Sequence, residues 1–251
     1  MPGISAVIIT FNEARNIGRC LSSLEGIADE IVVVDGFSSD ETADIARSFG
    51  AKVIQRNWNG FVDAKNFARE SASQPYILSL DADEALSGPL RKSILAERDR
   101  LQGGYRLSRK NYYCGKWIRY GGWYPDLQLR LAPRDQSRWE GQFVHEALSL
   151  AEGLPVQRLA GDLDHFTIDS AEDHLARINR YSGLTAKRML EQGKKAGLLR
   201  LCFGPVWKFL KMYVVKLGFL DGYEGFLLAV LSASGVFLRY VKLRELLRKP
   251  S

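Results

Sequence analysis

The stretch Tyr76-Ile77-Leu78-Ser79-Leu80-Asp81-Ala82-Asp83-Glu84 decides how this chain is read. Its short apolar run has the length and composition of a buried strand, and it ends in acids. In an open α/β sheet, the crevice beyond the carboxyl edge of the strands is where ligands bind. Residues two apart in an extended chain project to the same side, so Asp81 and Asp83 are expected to converge. Neighbouring carboxylates raise each other's pKa unless a cation lies between them, and an all-oxygen pair selects Mg2+ or Mn2+ over zinc. The bare Asp-x-Asp triplet is common in surface turns. Its place after a hydrophobic strand gives it weight.

Upstream, Val- and Ile-rich runs alternate with helical segments over the first hundred residues, the pattern of a parallel sheet covered by helices. Strands are predicted at residues 4–10, 30–35, 51–54 and 76–81, with helices near 17–24, 42–49, 63–71 and 90–101. The first strand delivers Thr10-Phe11-Asn12-Glu13 into a turn, where Asn12 is placed to cap the next helix and Thr10 or Phe11 to touch a base. The second ends in Asp35, and a carboxylate emerging from a buried strand is costly without a partner, which favours a binding role. Ser38-Ser39-Asp40-Glu41 fits a capping box and reads as structural. Lys65 either reaches phosphate as a mobile point charge or is an ordinary solvated helix lysine. No Gly-x-Gly-x-x-Gly follows the first strand and no Gly-x-x-x-x-Gly-Lys-Ser/Thr occurs. Dinucleotide and phosphate-loop readings therefore lack their glycine cradle, and metal and side chains must neutralise any diphosphate.

The 251 residues are 46% hydrophobic, which excludes disorder and suits one large α/β domain with an appendage. Met1-Pro2-Gly3-Ile4 has no basic stretch followed by an apolar run, so a cytoplasmic protein is expected. Cys20, Cys114 and Cys202 are odd in number and widely spaced, which fits reduced thiols better than a disulfide framework or a metal knuckle. A net charge of +6 favours an anionic partner.

Beyond residue 170 the alternation of strands stops. Ser170, with Asp173 three residues on, is predicted to cap a helix. The uncharged run 225–238 falls short of the roughly 20 residues that a transmembrane helix needs. From Arg200 onward nine basic residues face three acids, among Leu, Phe, Trp and Tyr. That composition suits helices lying on anionic lipid, and an oligomer interface or a buried hairpin is the competing reading. Basic charge held in an apolar tail argues against nucleic acid. The expected organisation is a catalytic domain over 1–169 and a helical region over 170–251.

Three segments together resemble glycosyltransferase family 2: Ala6-Val7-Ile8-Ile9-Thr10-Phe11-Asn12-Glu13, then Val32-Val33-Val34-Asp35-Gly36-Phe37-Ser38-Ser39-Asp40-Glu41-Thr42, then Asp81-Ala82-Asp83-Glu84. Ala64-Lys65-Asn66, Trp123-Tyr124-Pro125-Asp126, Val144-His145-Glu146 and Gly218-Phe219-Leu220-Asp221-Gly222 narrow the likeness to the bacterial lipopolysaccharide core β-1,4-glucosyltransferases. The resemblance covers nearly the whole chain. It implies the GT-A fold, a Rossmann-like, mostly parallel sheet with helices on both faces, and an inverting, metal-dependent transfer from a nucleotide sugar. By the same likeness, the donor is UDP-glucose, the acceptor is a lipid-linked glycan, and the enzyme lies on the cytoplasmic face of the inner membrane. A family 2 enzyme acting on polyprenyl phosphate or another glycan, and a noncatalytic nucleotide-sugar-binding protein, are the alternatives. Thr10, Phe11, Glu13, Asp35, Lys65, Asp81 and Ala82 would then line the donor site, with Asp35 at the base and Asp81 at the ribose or metal. Asp83 would hold the metal, with His165 completing its shell, and His145 is an alternative for that place. An inverting transfer needs a base for the acceptor hydroxyl. Glu146, in a segment similar to the family's acceptor-facing one, is the first candidate, and Asp126 the reserve.

Overall fold

The computed structural model describes residues 2–141, 146–195 and 197–248. These fall into two compact units, one formed by residues 2–109 and 126–166, the other by 110–125 and 167–248.

The first unit opens with strand β1 (Ile4–Thr10), in which all seven residues are buried. Then come α1 (Ala14–Ser23), β2 (Glu30–Asp35), α2 (Thr42–Ser48), β3 (Lys52–Gln55), α3 (Phe61–Glu70) and β4 (Tyr76–Asp81). After these follow β5 (Glu84–Leu86), α4 (Gly88–Glu97), β6 (Gly104–Tyr113), whose last residues belong to the second unit, β7 (Lys116–Trp117) of that second unit, and then β8 (Asp126–Pro133), β9 (Ser137–Glu140), β10 (Ala147–Leu150) and β11 (Val156–Ile168), whose last two residues again belong to the second unit. The main sheet has the order β3-β2-β1-β4-β8-β6-β11-β5, with β7 on β6, and β9 and β10 form a separate antiparallel pair. The first four strands of that order are parallel, as expected. The rest of the sheet is antiparallel where its register is defined. Those strands are interrupted by exposed and half-buried positions, as in β6, and so lack the continuous apolar run that makes a parallel strand legible.

Alternate residues of β1 feed two cores. Ile4, Ala6 and Ile8 pack with Ile17 and Leu21 of α1 and Leu90 and Ile94 of α4, while Val7 and Ile9 pack with Ala64 and Ala68 of α3. Helices therefore cover both faces of the sheet. The expected cap at Asn12 is not made: Asn12 sits at φ 54°, and its Oδ1 accepts from Ser39 N at 2.8 Å, tying the two turns at the sheet edge together. The capping box is likewise replaced. Asp40 accepts from Thr42 N and from Ala14 N, both at 3.1 Å, so one carboxylate serves the first turns of α2 and α1.

In the second unit, α5 (Ala171–Glu191) begins as expected, with Ser170 Oγ accepting from Asp173 N at 3.1 Å. His174 is buried on this helix, its Nδ1 2.9 Å from the Tyr113 hydroxyl. Burial, with Arg177 adding to it, pushes its pKa down to about 4. Helix α6 (Leu198–Leu210) contains Pro205 and buries none of its 13 residues, leaving Leu199, Phe203 and Trp207 exposed. The uncharged run 225–238 lies inside α7 (Gly222–Arg248), a 27-residue helix. By length and composition alone, the stretch Gly218–Arg248, which includes this helix, would be long and apolar enough to cross a membrane, a longer stretch than the uncharged run itself. One face of α7, including Leu228, Ala229, Val236 and Leu243, is buried, and Lys242 Nζ donates to Asn179 O and Oδ1 and to Ser182 Oγ of α5 at 2.6–2.9 Å. All three cysteines are free: Cys20 buried, Cys114 half-buried and Cys202 exposed.

Candidate active site

Register brings three polar strand ends level at one edge of the sheet. Thr10 lies opposite Asp35 on β2, and Ile9 opposite Asp81 on β4. At this edge Asp81 Oδ1 is 2.8 Å from Lys65 Nζ, and Oδ2 is 3.0 Å from Arg130 Nη2. The same Arg130 nitrogen lies 2.7 Å from Glu84 Oε1, which is 3.4 Å from Arg109 Nη1. Arg109 Nη2 in turn lies 2.6 Å from Asp126 Oδ2. The series Lys65, Asp81, Arg130, Glu84, Arg109, Asp126 thus alternates in sign from end to end. Glu84 is fully buried and Arg130 nearly so. Burial alone would raise the Asp81 pKa, but Lys65 and Arg130 outweigh it and hold the carboxyl well below the usual range. Burial pulls Arg130 down, and Glu84 and Asp81 more than restore its charge.

Lys65 is neither mobile nor solvated. It is 6% exposed, gripped by Asp81, and its ammonium sits 4.3 Å from the ring centroid of Trp139. Strand alternation carries the chain only as far as Asp81, where β4 ends, and Asp83 follows in the turn before β5. Asp83 has a separate neighbour: His165 Nε2 lies 3.3 Å from its Oδ2. The backbone holds this arrangement, because Phe166 N donates to Asp83 O at 2.9 Å and His165 lies in register with Glu84. Ala82, between the two acids, is buried. Beneath them Cys20 Sγ lies 3.8 Å from Asp81 O, and burial, reinforced by Glu84, Asp83 and Asp81, pushes its thiol pKa up. Among the described residues no cluster of three or more His, Cys, Asp or Glu could hold a metal by itself.

On the other side of the edge Asp35 has no exposed surface. Its carboxylate accepts from Ser38 N at 3.1 Å, Gln55 Nε2 at 3.0 Å and the Ser38 hydroxyl. Thr10 is buried, and its hydroxyl has no hydrogen-bond partner among the described residues. Phe11 is 52% exposed and meets Trp58 edge-on at 6.5 Å, and Trp58 meets Phe61 at 5.7 Å. Gly36 lies against this cluster: a Cβ there would come within 3.1 Å of the Trp58 ring and 3.3 Å of Phe11. Glu13 stands at the start of α1, its N–H donating to Thr42 Oγ1 and its Oε2 accepting from Asn16 Nδ2, each at 2.8 Å.

The two base candidates are placed differently. Asp126 opens β8 and is bound by Arg109 and by Gln128 Nε2 at 2.6 Å. Glu146 is half-buried and immediately precedes β10. His145 lies outside the described residues. Arg130 and Arg109 carry the centre of the cluster without having been singled out in the sequence, as does Trp139 beside Lys65 and Arg130, while Glu84 was quoted with the acidic motif but given no role of its own. Leu127-Gln128-Leu129-Arg130-Leu131-Ala132 does hold a signal, an arginine placed mid-strand where burial demands an acid beside it.

Residues 5–100 match the family model for glycosyl transferase family 2. A glycosyltransferase of Rickettsia bellii is 34% identical over 97% of this chain and 86% of its own length. The chain belongs to glycosyltransferase family 2. Another relative, the lipopolysaccharide core biosynthesis glycosyltransferase LpsC of Rhizobium meliloti, is 34% identical over 96% of this chain and 92% of its own. The mannosyltransferase PcManGT of Pyrobaculum calidifontis superposes with a TM-score of 0.55 at 12% identity, over 97% of this chain and 87% of that structure. The family 2 chain thus has the GT-A fold, and the charged cluster lies at the carboxyl edge of its parallel strands.

Proposed function

We propose that this glycosyltransferase moves glucose from UDP-glucose to a lipopolysaccharide core or a similar lipid-linked glycan, inverting the anomeric carbon with the help of a divalent ion. The observation that carries the reading is the ordered charge series at the sheet edge beside the separate Asp83–His165 pair. Nearly full-length similarity to LpsC supports the acceptor class. The likeness in fold to PcManGT, which was solved with GDP-Man and Mn2+, fits a nucleotide-sugar donor and a metal.

Asp83 and His165 suit a metal that takes its remaining ligands from substrate phosphates and water, which is how small divalent ions are held in phosphate sites. The imidazole favours Mn2+ over Mg2+. Such an ion supplies charge stabilisation to the departing diphosphate. Asp81, pinned by Lys65 and Arg130, gives the donor a fixed carboxylate at the strand end. Asp35 holds the Ser38–Gln55 corner, with Phe11 and Trp58 beside it as a platform for the base. Asp126 is occupied by Arg109 and Gln128 and acts as the far anchor of the charge series. Glu146, half-buried just before β10 in the segment similar to the family's acceptor-facing one, is the proposed base that takes the acceptor proton.

The second unit would seat the enzyme on the cytoplasmic face of the inner membrane. Its α6 exposes Leu199, Phe203 and Trp207 among basic residues, while α7 is committed on one face to its own unit. A surface-bound helical region of this kind brings a lipid-linked acceptor within reach.

Transfer of labelled glucose from UDP-glucose to core oligosaccharide tests the reading. Glu146→Gln should lower kcat by about 10²–10⁴ while donor affinity is retained. A fully active variant would remove Glu146 from the base role, and turnover confined to other nucleotide sugars would overturn the donor.

A further inference from the structure

Helices α6 and α7 enclose a cleft of about 630 Å3 in the second unit. Its wall sets Phe203, Trp207 and Tyr240 beside four cations, Arg200, Lys208, Lys211 and Arg239, with no acid among them. A neighbouring cleft of about 410 Å3 reaches toward α5 and shares Lys208, Val236 and Arg239 with the first. Among the described residues none of these four cations makes an ion pair, and Arg239 Nε is buried without a hydrogen-bond partner. The crowding has a cost that shows at Lys208, whose pKa is lowered by burial and then by Lys211 and Arg239. An anion entering the cleft would relieve both the repulsion and the unsatisfied guanidinium.

The lining also selects among anions. Inorganic phosphate would use the cations and leave the aromatic wall wet, whereas an amphiphile uses both. The rim points the same way, because Leu199 is 74% exposed, Phe203 65% and Trp207 62%, a continuous apolar margin around a basic centre.

We propose that this cleft binds the anionic headgroup of a single membrane phospholipid, its phosphate against Lys208 and Arg239 and its chains along Phe203 and Trp207. The inference rests on the membrane reading of the second unit and adds a defined, saturable site to what would otherwise be diffuse attraction. Recognition of one headgroup orients the unit on the bilayer, which nonspecific adsorption does not.

The test uses the full-length protein and monomeric dihexanoyl phosphatidylglycerol below its micellar concentration, so that no surface is present. Calorimetry should show saturable binding of one lipid per chain. Lys208→Gln with Arg239→Gln should weaken it about thirtyfold, following the usual worth of two basic residues at an anionic lipid. The charge-conserving pair Lys208→Arg with Arg239→Lys should retain most of it, which separates lost charge from lost folding. Equal binding of dihexanoyl phosphatidylcholine, or unchanged binding by the glutamine pair, would overturn the site. Inorganic phosphate binding as tightly as the lipid would show an ion site and overturn the lipid assignment. Loss of monomer binding in the glutamine pair with flotation on anionic vesicles retained would support a site distinct from diffuse attraction, whereas wild-type protein that binds the monomer but does not float would overturn the membrane reading and leave the site standing. Transfer to a soluble acceptor should be unchanged in the pair, so the outcome is independent of the catalytic assignments.

Discussion

Removing Arg130 should destabilise the first unit through a mechanism that pH can expose. Its Nη2 lies 3.0 Å from Asp81 and 2.7 Å from Glu84, and both Glu84 and Arg130 are buried. Deleting one partner of a buried ion pair leaves uncompensated charge and costs about 3–5 kcal/mol. Arg130→Gln should fall toward the lower end, about 3 kcal/mol, because Lys65 still holds Asp81 and Arg109 still faces Glu84. Asp81 now has its pKa lowered only because Lys65 and Arg130 together outweigh burial. In the wild type its contribution is present above the ordinary carboxylate range and is lost only as pH falls below that range. In the variant, burial gains ground and the folded pKa of Asp81 rises toward its unfolded value. A carboxyl whose folded pKa is less depressed has less stability to lose as pH falls through the carboxylate range. The variant's deficit should therefore stay constant from pH 8 to about 5 and shrink as pH falls below about 4, where Asp81 of the unfolded chain takes up its proton. Urea unfolding followed by circular dichroism across that range measures it. A loss below about 1 kcal/mol, or a deficit that does not change with pH, would refute the reasoning.

Asp83→Asn should reduce Mn2+-dependent binding of UDP-glucose, measured by calorimetry, to the level seen with chelator, and unchanged binding would take Asp83 out of the metal site. His174 should make the helical unit less stable as pH falls from about 6.5 toward 4, since the unfolded imidazole takes up a proton that the buried one refuses. The loss should reach at most about 3 kcal/mol, and a His174→Gln variant with the same acid slope would exclude this histidine as its origin. Gly161→Ala should cost about 2–4 kcal/mol, because its φ is +95° and a Cβ would lie 2.3 Å from Leu90 N, a backbone atom with little room to move. A melting temperature within a degree of wild type would contradict that geometry.

The parallel half of the fold was legible because each of its strands is a short apolar run ending in a polar residue. Residues 4–10, 30–35 and 76–81 are strands as read. The antiparallel half was not, since β6 and β8 carry Arg109 and Arg130 among apolar residues, and such strands look like loops until their acidic partners are known. The same blindness hid the centre of the site. Asp81 and Asp83 were visible as a pair, but pairing through space with Lys65, Arg130 and His165 depends on α3, β8 and β11, which sequence proximity does not connect. Asn12 and Asp40 show the local version of the problem. Each was legible as a polar turn residue, yet each satisfies the backbone of the neighbouring turn.

The distribution of the three thiols gives the protein a built-in reporter. Cys20 is sealed beneath the acids with its pKa pushed up, and burial also raises that of the half-buried Cys114. Alkylation requires an accessible thiolate, so both should react slowly at neutral pH. Cys202 is exposed on α6, one residue from Phe203. A polarity-sensitive fluorophore attached there would sit on the apolar margin of that helix without any engineered cysteine. Its emission would then follow the burial of α6 in lipid while the chemistry at the sheet edge proceeds unlabelled.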